Sequence, residues 1–165
     1  MSTIDELREN AERFAEQFTG GASPARPAKR VAVVACMDAR LDVFRLLGLR
    51  EGDAHVIRNA GGVVTDDVIR SLTISQRLLD TEEVMLVHHT KCGMLNLPDE
   101  EFRREIQRET GTEPPWSTEA FDDLEADVRR SIARVKASPF LPSRQSVHGF
   151  VYDVENGRLT EVSER

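Results

Sequence analysis

The chain has little of what marks a small secreted scaffold or a nucleic-acid-binding protein. Cysteine occurs only twice among 165 residues, which excludes a disulfide-rich scaffold. Acidic residues outnumber basic ones by 29 to 22, giving a formal charge of −7. Aromatic residues make up only 5% of the chain and are not interleaved with a lysine- and arginine-rich stripe. This composition argues against nucleic acid as a partner.

Long hydrophobic runs are also missing. No segment approaches the roughly 20 apolar residues that a membrane-spanning helix needs. The first ten residues are polar and acidic, unlike a secretory signal, so we expect no membrane anchor and a cytoplasmic location. With 39% hydrophobic residues, the sequence predicts a single domain over residues 1–165 with its own core.

Short β-branched runs alternate with amphipathic stretches. Residues 30–35 and 83–88 have the pattern of strands buried on both faces of a parallel sheet. A further strand is predicted at 54–57, and Asn156-Gly157 predicts a hairpin between strands at 147–154 and 159–162. Helices are predicted around residues 4–18, 43–47, 65–79, 99–109 and 117–137, with Trp116 at the start of the last, in the core or at an interface.

This alternation of strands and helices predicts a three-layer α/β fold. A mainly parallel central β-sheet is flanked by helices and has an antiparallel edge strand. An N-terminal helical arm, residues 1–20, precedes an α/β core at residues 28–165. The apolar stripe of the arm must be buried, either on its own domain or on a neighbouring subunit.

Both cysteines fall in short motifs at the ends of predicted strands. Cys36 begins a C-x-D-x-R segment at residues 36–40, and His89 and Cys92 form an H-x-x-C segment after another strand. Ligand sites of open α/β sheets lie beyond the carboxyl ends of the strands, so we expect these three side chains to meet. Thiolate and imidazole bind zinc, and three protein ligands leave a fourth tetrahedral position for water or substrate.

Asp38 and Arg40 follow Cys36 in the same segment. Asp38 could occupy the fourth metal position and close the site, whereas a bidentate ion pair with Arg40 would compete with the metal for the carboxylate. Three readings without catalysis stay open: a disulfide between Cys36 and Cys92, two unrelated buried thiols, and a closed structural zinc site with Asp38 as the fourth ligand.

The other histidines are expected to lie outside this site. His88 precedes His89, and adjacent strand residues face opposite sides of a sheet, so both cannot readily bind one ion. We therefore expect His88 in the core or behind the ligands. His55 and His148 have no ligand partner nearby in sequence, which favours core or surface roles.

A C-x-D-x-R loop followed by H-x-x-C-G at residues 89–93 resembles the signature of the β-class carbonic anhydrases. The R-N-A-G-G segment at residues 58–62 is similar to the one that lines the family's zinc pocket. The resemblance covers about residues 28–155. It implies one Zn²⁺ per subunit on Cys36, His89 and Cys92, with Asp38 as a fourth ligand only in a closed state.

The resemblance also implies an activity and a partner. The reaction is the reversible hydration of CO₂ to bicarbonate and a proton, by attack of zinc-bound hydroxide that the Asp38-Arg40 dyad orients. The chain is then a homodimer or higher homo-oligomer with the active-site cleft at the subunit interface. The substrate pocket implied comprises Asn59, Ala60, Gly61, Gly62 and Gly93.

Three residues depart from the family's common pattern of C-S-D-S-R and H-x-x-C-G-G. They are Met37, Ala39 and Met94, and none of them is a ligand. They bear on loop packing and pocket width, and therefore on substrate preference. Two functions besides CO₂ hydration stay open. One is a hydrolase of carbonyl sulfide or carbon disulfide, which are isosteres of CO₂, and the other is a non-catalytic protein that binds zinc or bicarbonate.

Overall fold

The structure is a computed structural model that describes residues 2–21 and 24–164. Within these residues, five strands form one sheet: β1 (Val31–Cys36), β2 (Ala54–Asn59), β3 (Glu83–His89), β4 (Val147–Tyr152) and β5 (Leu159–Glu161). The strand order is β2-β1-β3-β4-β5. The first four strands are parallel and β5 is antiparallel to β4. The predicted sheet, with its antiparallel edge, is confirmed.

The helices of the described residues are α1 (Thr3–Gln17), α2 (Val43–Leu47), α3 (Asp66–Leu79), α4 (Asp99–Thr110) and α5 (Leu124–Ala137). A short 3₁₀ turn covers Ala60–Gly62. None of the helices in this part of the chain has the length and apolarity that crossing a bilayer requires. Thr65 caps α3, where its side chain accepts a hydrogen bond from the Val68 N–H.

Strand β1 is buried on both faces because alternate residues belong to different cores. Ala32 and Val34 pack on one face of the sheet together with α3 and α5. Val33 and Ala35 pack on the other face with Val43 of α2. The sheet is therefore the middle of three layers, as predicted.

The chain leaves the neighbouring strands β1 and β3 toward opposite sides of the sheet. Helix α2 joins β1 to β2 on one face, and α3 joins β2 to β3 on the other. Strands β1 and β3 are neighbours. The chain leaves β1 toward β2 on one side and leaves β3 toward β4 on the other, so these two connections diverge from the gap between β1 and β3. The crevice beyond the carboxyl ends of such a pair is the usual position of a ligand in an open α/β sheet.

Helix α1 forms the predicted N-terminal arm. It begins with a capping box in which Ser2 and Asp5 exchange hydrogen bonds with each other's backbone N–H. None of its residues is buried. Its apolar side chains, Ile4, Leu7 and Phe14, are exposed on one face. Residues 22 and 23 of the linker that follows lie outside the described residues.

The start of α5 differs from the prediction. The helix begins at Leu124 rather than at residue 117, because the Asp123 side chain caps it by accepting from the Ala126 N–H. Thr118 instead donates from its backbone N–H and its hydroxyl to Asp99. Trp116, expected to begin this helix, lies in the preceding loop with 52% of its surface exposed, so it is not a core residue of this chain.

The bounds of the strands also differ from the prediction. Strand β1 covers 31–36 rather than 30–35, β3 extends to His89 rather than to residue 88, and β5 ends at Glu161 rather than at residue 162. Strand β2 runs to Asn59 rather than to residue 57, since its pairing with β1 continues to Cys36. Strand β4 ends at Tyr152 rather than at residue 154. The chain turns there, because the Asp153 side chain accepts hydrogen bonds from the backbone N–H groups of Glu155 and Asn156.

Candidate metal centre

Three donor side chains meet where β1 and β3 end. Cys36 and His89 are the last residues of these strands, and Cys92 lies in the turn that follows β3. The donor atoms all lie within 4.8 Å of one another. All three residues are buried, with 4%, 1% and 6% of their surfaces exposed. The strand geometry therefore gathers the predicted ligands into one cluster.

The two sulfur atoms are not bonded to each other. Their separation is 4.0 Å, about twice the length of a disulfide bond, and both cysteines are free. The disulfide reading is therefore wrong. The contact with the Cys92 thiol lowers the pKa of Cys36 to about 4 against the effect of burial, and the His89 ring and the backbone N–H groups of Asp38 and Gly61 act in the same direction. The same contact raises the pKa of the Cys92 thiol.

His89 directs one ring nitrogen at the cluster. Its Nδ1–H donates to the Thr90 carbonyl at 2.8 Å, which orients the ring and makes Nε2 the acceptor of the neutral imidazole. Nε2 is buried and has no hydrogen-bond partner among the described residues. A buried acceptor without a partner is costly. Two sulfur donors and one imidazole nitrogen form the kind of set that binds a soft or borderline metal ion, so the residues present fit a metal.

Arg40 holds the Asp38 carboxylate beside the cluster. Its Nε and Nη2 donate to the two carboxylate oxygens at 2.9 and 2.7 Å, and Nη2 also donates to the Lys91 carbonyl at 3.0 Å. These bonds hold the pKa of Asp38 well below its usual range. Asp38 Oδ2 lies 3.7 Å from His89 Nε2. The carboxylate thus faces the cluster while it is bound by arginine.

His88 points to the opposite side of the sheet from His89, as expected of adjacent strand residues. Its Nε2 lies 2.8 Å from Oδ2 of Asp127 on α5, and Asp127 also accepts from Arg130. His88 is fully buried. Its contact with Asp127 links β3 to α5, and His88 is not part of the metal cluster.

The two remaining histidines also lie away from the cluster. His55 is half-buried, and its Nδ1 is 2.7 Å from the Ser75 hydroxyl. His148 is exposed and pairs with Glu161 at the sheet edge, with 2.8 Å between Nδ1 and Oε1. These positions agree with the core and surface roles expected of them.

The expected pocket residues surround the cluster in different ways. Gly61 is buried beside the cluster, where its backbone N–H contributes to the lowered pKa of Cys36. Gly62 is buried against the ends of β1 and β3. Asn59 donates from Nδ2 to the Val63 carbonyl at 2.8 Å. Ala60 is half-buried and Gly93 is exposed with open space around it.

Phe121 is a residue of the site that sequence reasoning missed. It is buried in the same cluster of residues as Cys36 and Cys92. Its backbone N–H donates to the Met94 carbonyl at 3.2 Å, and its ring would lie 3.4 Å from a Cβ added to Gly61. No local signal marks it, because it reaches the site from a loop that is distant in sequence.

Known proteins resemble this chain over nearly its whole length. A family model described as carbonic anhydrase matches residues 31–112. Beta-carbonic anhydrase 1 of Mycobacterium tuberculosis (strain ATCC 25618 / H37Rv) is 55% identical over 163 residues, which cover 99% of both chains. The crystal structure of carbonic anhydrase from Streptococcus mutans gives a TM-score of 0.91 at 41% identity, covering 99% of both chains. A carbon disulfide hydrolase of Acidithiobacillus thiooxidans is 33% identical over 152 residues, 79% of this chain and 76% of that protein.

Proposed function

The chain belongs to the β-carbonic anhydrase family and is a carbonic anhydrase, and we propose that it hydrates CO₂ reversibly with a zinc ion held by Cys36, His89 and Cys92. The observation that carries this proposal is the buried Cys-His-Cys cluster, whose unpartnered imidazole nitrogen lies beside a carboxylate bound by arginine. The family predicted from the sequence motifs is confirmed.

Zinc bound by this donor set would act as a Lewis acid that lowers the pKa of a coordinated water toward neutrality and so supplies the nucleophile. Asp38 would accept a hydrogen bond from that nucleophile and turn a lone pair toward the carbon of CO₂. Arg40 would keep both carboxylate oxygens in place, because its fork fits a carboxylate in one orientation. Asp38 and Arg40 are thus the proposed catalytic dyad.

CO₂ is the proposed substrate in preference to its sulfur isosteres. The relative that is 55% identical is named a beta-carbonic anhydrase, whereas the named carbon disulfide hydrolase is 33% identical and matches a smaller share of the chain. The arginine-bound carboxylate also favours catalysis over a closed structural site. The group of donor atoms that could hold a metal comprises Cys36, His89 and Cys92, and it does not include Asp38.

Stopped-flow CO₂ hydration on purified protein of known zinc content tests this function. We expect fast turnover that rises between about pH 7 and pH 8.5, as expected for a coordinated water of lowered pKa. Dialysis against a zinc chelator should remove the activity, and added Zn²⁺ should restore it. Full zinc occupancy without CO₂ hydration would contradict the proposal. Carbonyl sulfide and carbon disulfide are then the substrates to assay.

We also propose that the chain works as a homodimer or a higher homo-oligomer through helix α1. The apolar face of α1 is exposed in the single chain although Leu7 and Phe14 belong on a buried surface. The metal centre is also open at its edge, where Met37 has 65% of its surface exposed. A second copy that covers both surfaces would complete the cleft.

Light scattering after size-exclusion chromatography tests this assembly. We expect the wild type to elute at twice or a larger multiple of 18.6 kDa and Leu7→Glu to shift strongly toward the monomer, because a charge in an apolar interface is costly. Arg13→Gln is the matched control, since it lowers the net charge by the same one unit on the opposite face of α1. A monomeric wild type at micromolar concentration would contradict the proposal.

We propose a cytoplasmic location for the protein. The support is the state of its thiols, because Cys36 and Cys92 are both free and both belong to the candidate metal centre. Thiols of this kind persist in a reducing compartment.

A further inference from the structure

Arg58, at the carboxyl end of β2, contacts the loop that carries the ligand Cys36 and the dyad. Its Nε donates to the Cys36 carbonyl at 2.9 Å, and its Nη2 donates to the Asp38 carbonyl at 2.8 Å. One guanidinium therefore bonds the backbone on both sides of Met37. A planar, forked donor can hold two such oxygens in a fixed relation.

The loop at residues 36–40 has little else to hold its middle. Met37 is 65% exposed, and Ala39 and Arg40 are also exposed. The Met37 backbone N–H donates to the Asn59 carbonyl at 2.8 Å, again from β2. Because apolar burial contributes little at these positions, hydrogen bonds hold the backbone from Cys36 to Asp38. They are the bonds with β2 and one from the Leu41 N–H to the Asp38 carbonyl at 3.0 Å.

Arg58 is exposed, and it forms no ion pair within the part of the chain that the structure describes, so no carboxylate there competes for its guanidinium. Its two hydrogen bonds from one planar group to carbonyls two residues apart restrict the backbone between them. We infer that Arg58 is a positioning residue for the proposed reaction, which fixes the backbone of residues 36–38 and thereby the direction of the Asp38 carboxylate.

This inference rests on the proposed function and is tested on the zinc-loaded protein. We expect Arg58→Ala to lower kcat by about tenfold to a hundredfold, because a displacement of about 1 Å at a reacting group costs on that order. KM should change by less than about threefold, since both hydrogen bonds of Arg58 go to backbone carbonyls of the loop. Zinc content should be unchanged, because Cys36, His89 and Cys92 remain.

Arg77→Ala is the matched control. Arg77 is also exposed, forms no ion pair among the described residues, and donates from Nε to a backbone carbonyl, that of Phe140 at 2.8 Å. That carbonyl is remote from the metal centre, so Arg77→Ala should keep wild-type kcat. Arg58→Lys keeps the charge but loses the planar fork, so we expect a kcat well below that of the wild type.

Amide hydrogen exchange of the peptide that contains residues 36–41 gives a readout independent of activity. Exchange should accelerate in Arg58→Ala and not in Arg77→Ala. Unchanged kcat and unchanged exchange in Arg58→Ala would overturn the inference. So would full activity in Arg58→Lys, since charge alone would then suffice, or a fall in kcat that only follows loss of zinc. If the wild type failed to hydrate CO₂, the proposed function would fail. The exchange result would still test whether Arg58 fixes the backbone of residues 36–38.

Discussion

Asp38→Asn is expected to lower kcat/KM for CO₂ hydration by about 100-fold or more while zinc stays fully bound, because effects of this size follow when a catalytic group loses its proton-accepting or orienting role. Asparagine keeps the shape of the side chain but loses the negative charge. It therefore cannot accept from both nitrogens of the Arg40 fork. The measurement is stopped-flow hydration beside zinc analysis of the same sample.

Asp42→Asn is the matched control for this variant. Asp42 lies four residues further on, where its side chain caps α2 by accepting from the Arg45 N–H at 3.1 Å. Asparagine caps helices about as well as aspartate, so activity and stability should be near those of the wild type. Full activity in Asp38→Asn would show that the dyad assignment is wrong.

The charge of Asp38 does not change over the pH range of the assay. Arg40 holds its pKa below the usual value of about 3.9. The contribution of this carboxylate to stability is therefore present above the unfolded-state pKa, and it is lost only as the pH falls through the lower folded-state value. A rise in rate between about pH 7 and pH 8.5 must then come from another ionisation, for which the coordinated water is the proposed source.

Gly62→Ala is expected to reduce both folding stability and metal affinity. Gly62 has φ +67°, and an added Cβ would lie 2.7 Å from the Cys36 nitrogen and 3.1 Å from the Val87 carbonyl oxygen. These are backbone atoms of β1 and β3, so relief requires moving the strand ends that carry Cys36 and His89. We expect the free energy of unfolding to fall by about 3 kcal/mol, from a left-handed alanine and from overpacking together.

Gly52→Ala separates the two causes. Gly52 also has a left-handed φ of +82°, but an added Cβ would meet nothing within 4 Å. In this control the free energy of unfolding should fall by only about 1 kcal/mol, from the left-handed backbone conformation of the alanine, and zinc affinity should be unchanged. Urea denaturation and chelator competition measure the two quantities. Equal effects of both substitutions on stability and on zinc affinity would contradict the steric explanation.

The positions of the three candidate metal ligands were predictable because they follow from local pattern. A β-branched run fixes where β1 ends, and the alternation of side chains along β3 separates His88 from His89. The two hydrogen bonds of Arg58 were not predictable, since they join a side chain of β2 to backbone carbonyls at and beyond the end of β1.

Long-range contacts also explain the errors around α5. Helical periodicity begins before Leu124, but residues 117–123 are held in a loop by distant partners. Thr118 binds Asp99, and Phe121 pairs with Leu95 in an isolated bridge. Neither partner is visible in a local sequence window, so helical propensity suggested an earlier start than tertiary structure allows.

The metal centre also reports on how well the sheet is assembled. Cys36 and His89 end neighbouring parallel strands, and Val31 pairs with Glu83 at the beginning of the same ladder. A slip of β3 by one residue against β1 would reverse its faces, replacing His89 with a side chain from the other side. Metal stoichiometry in a refolded preparation therefore counts the molecules whose strands are in correct register. A register slip would not change the helix content measured by circular dichroism, so that measurement would not reveal it.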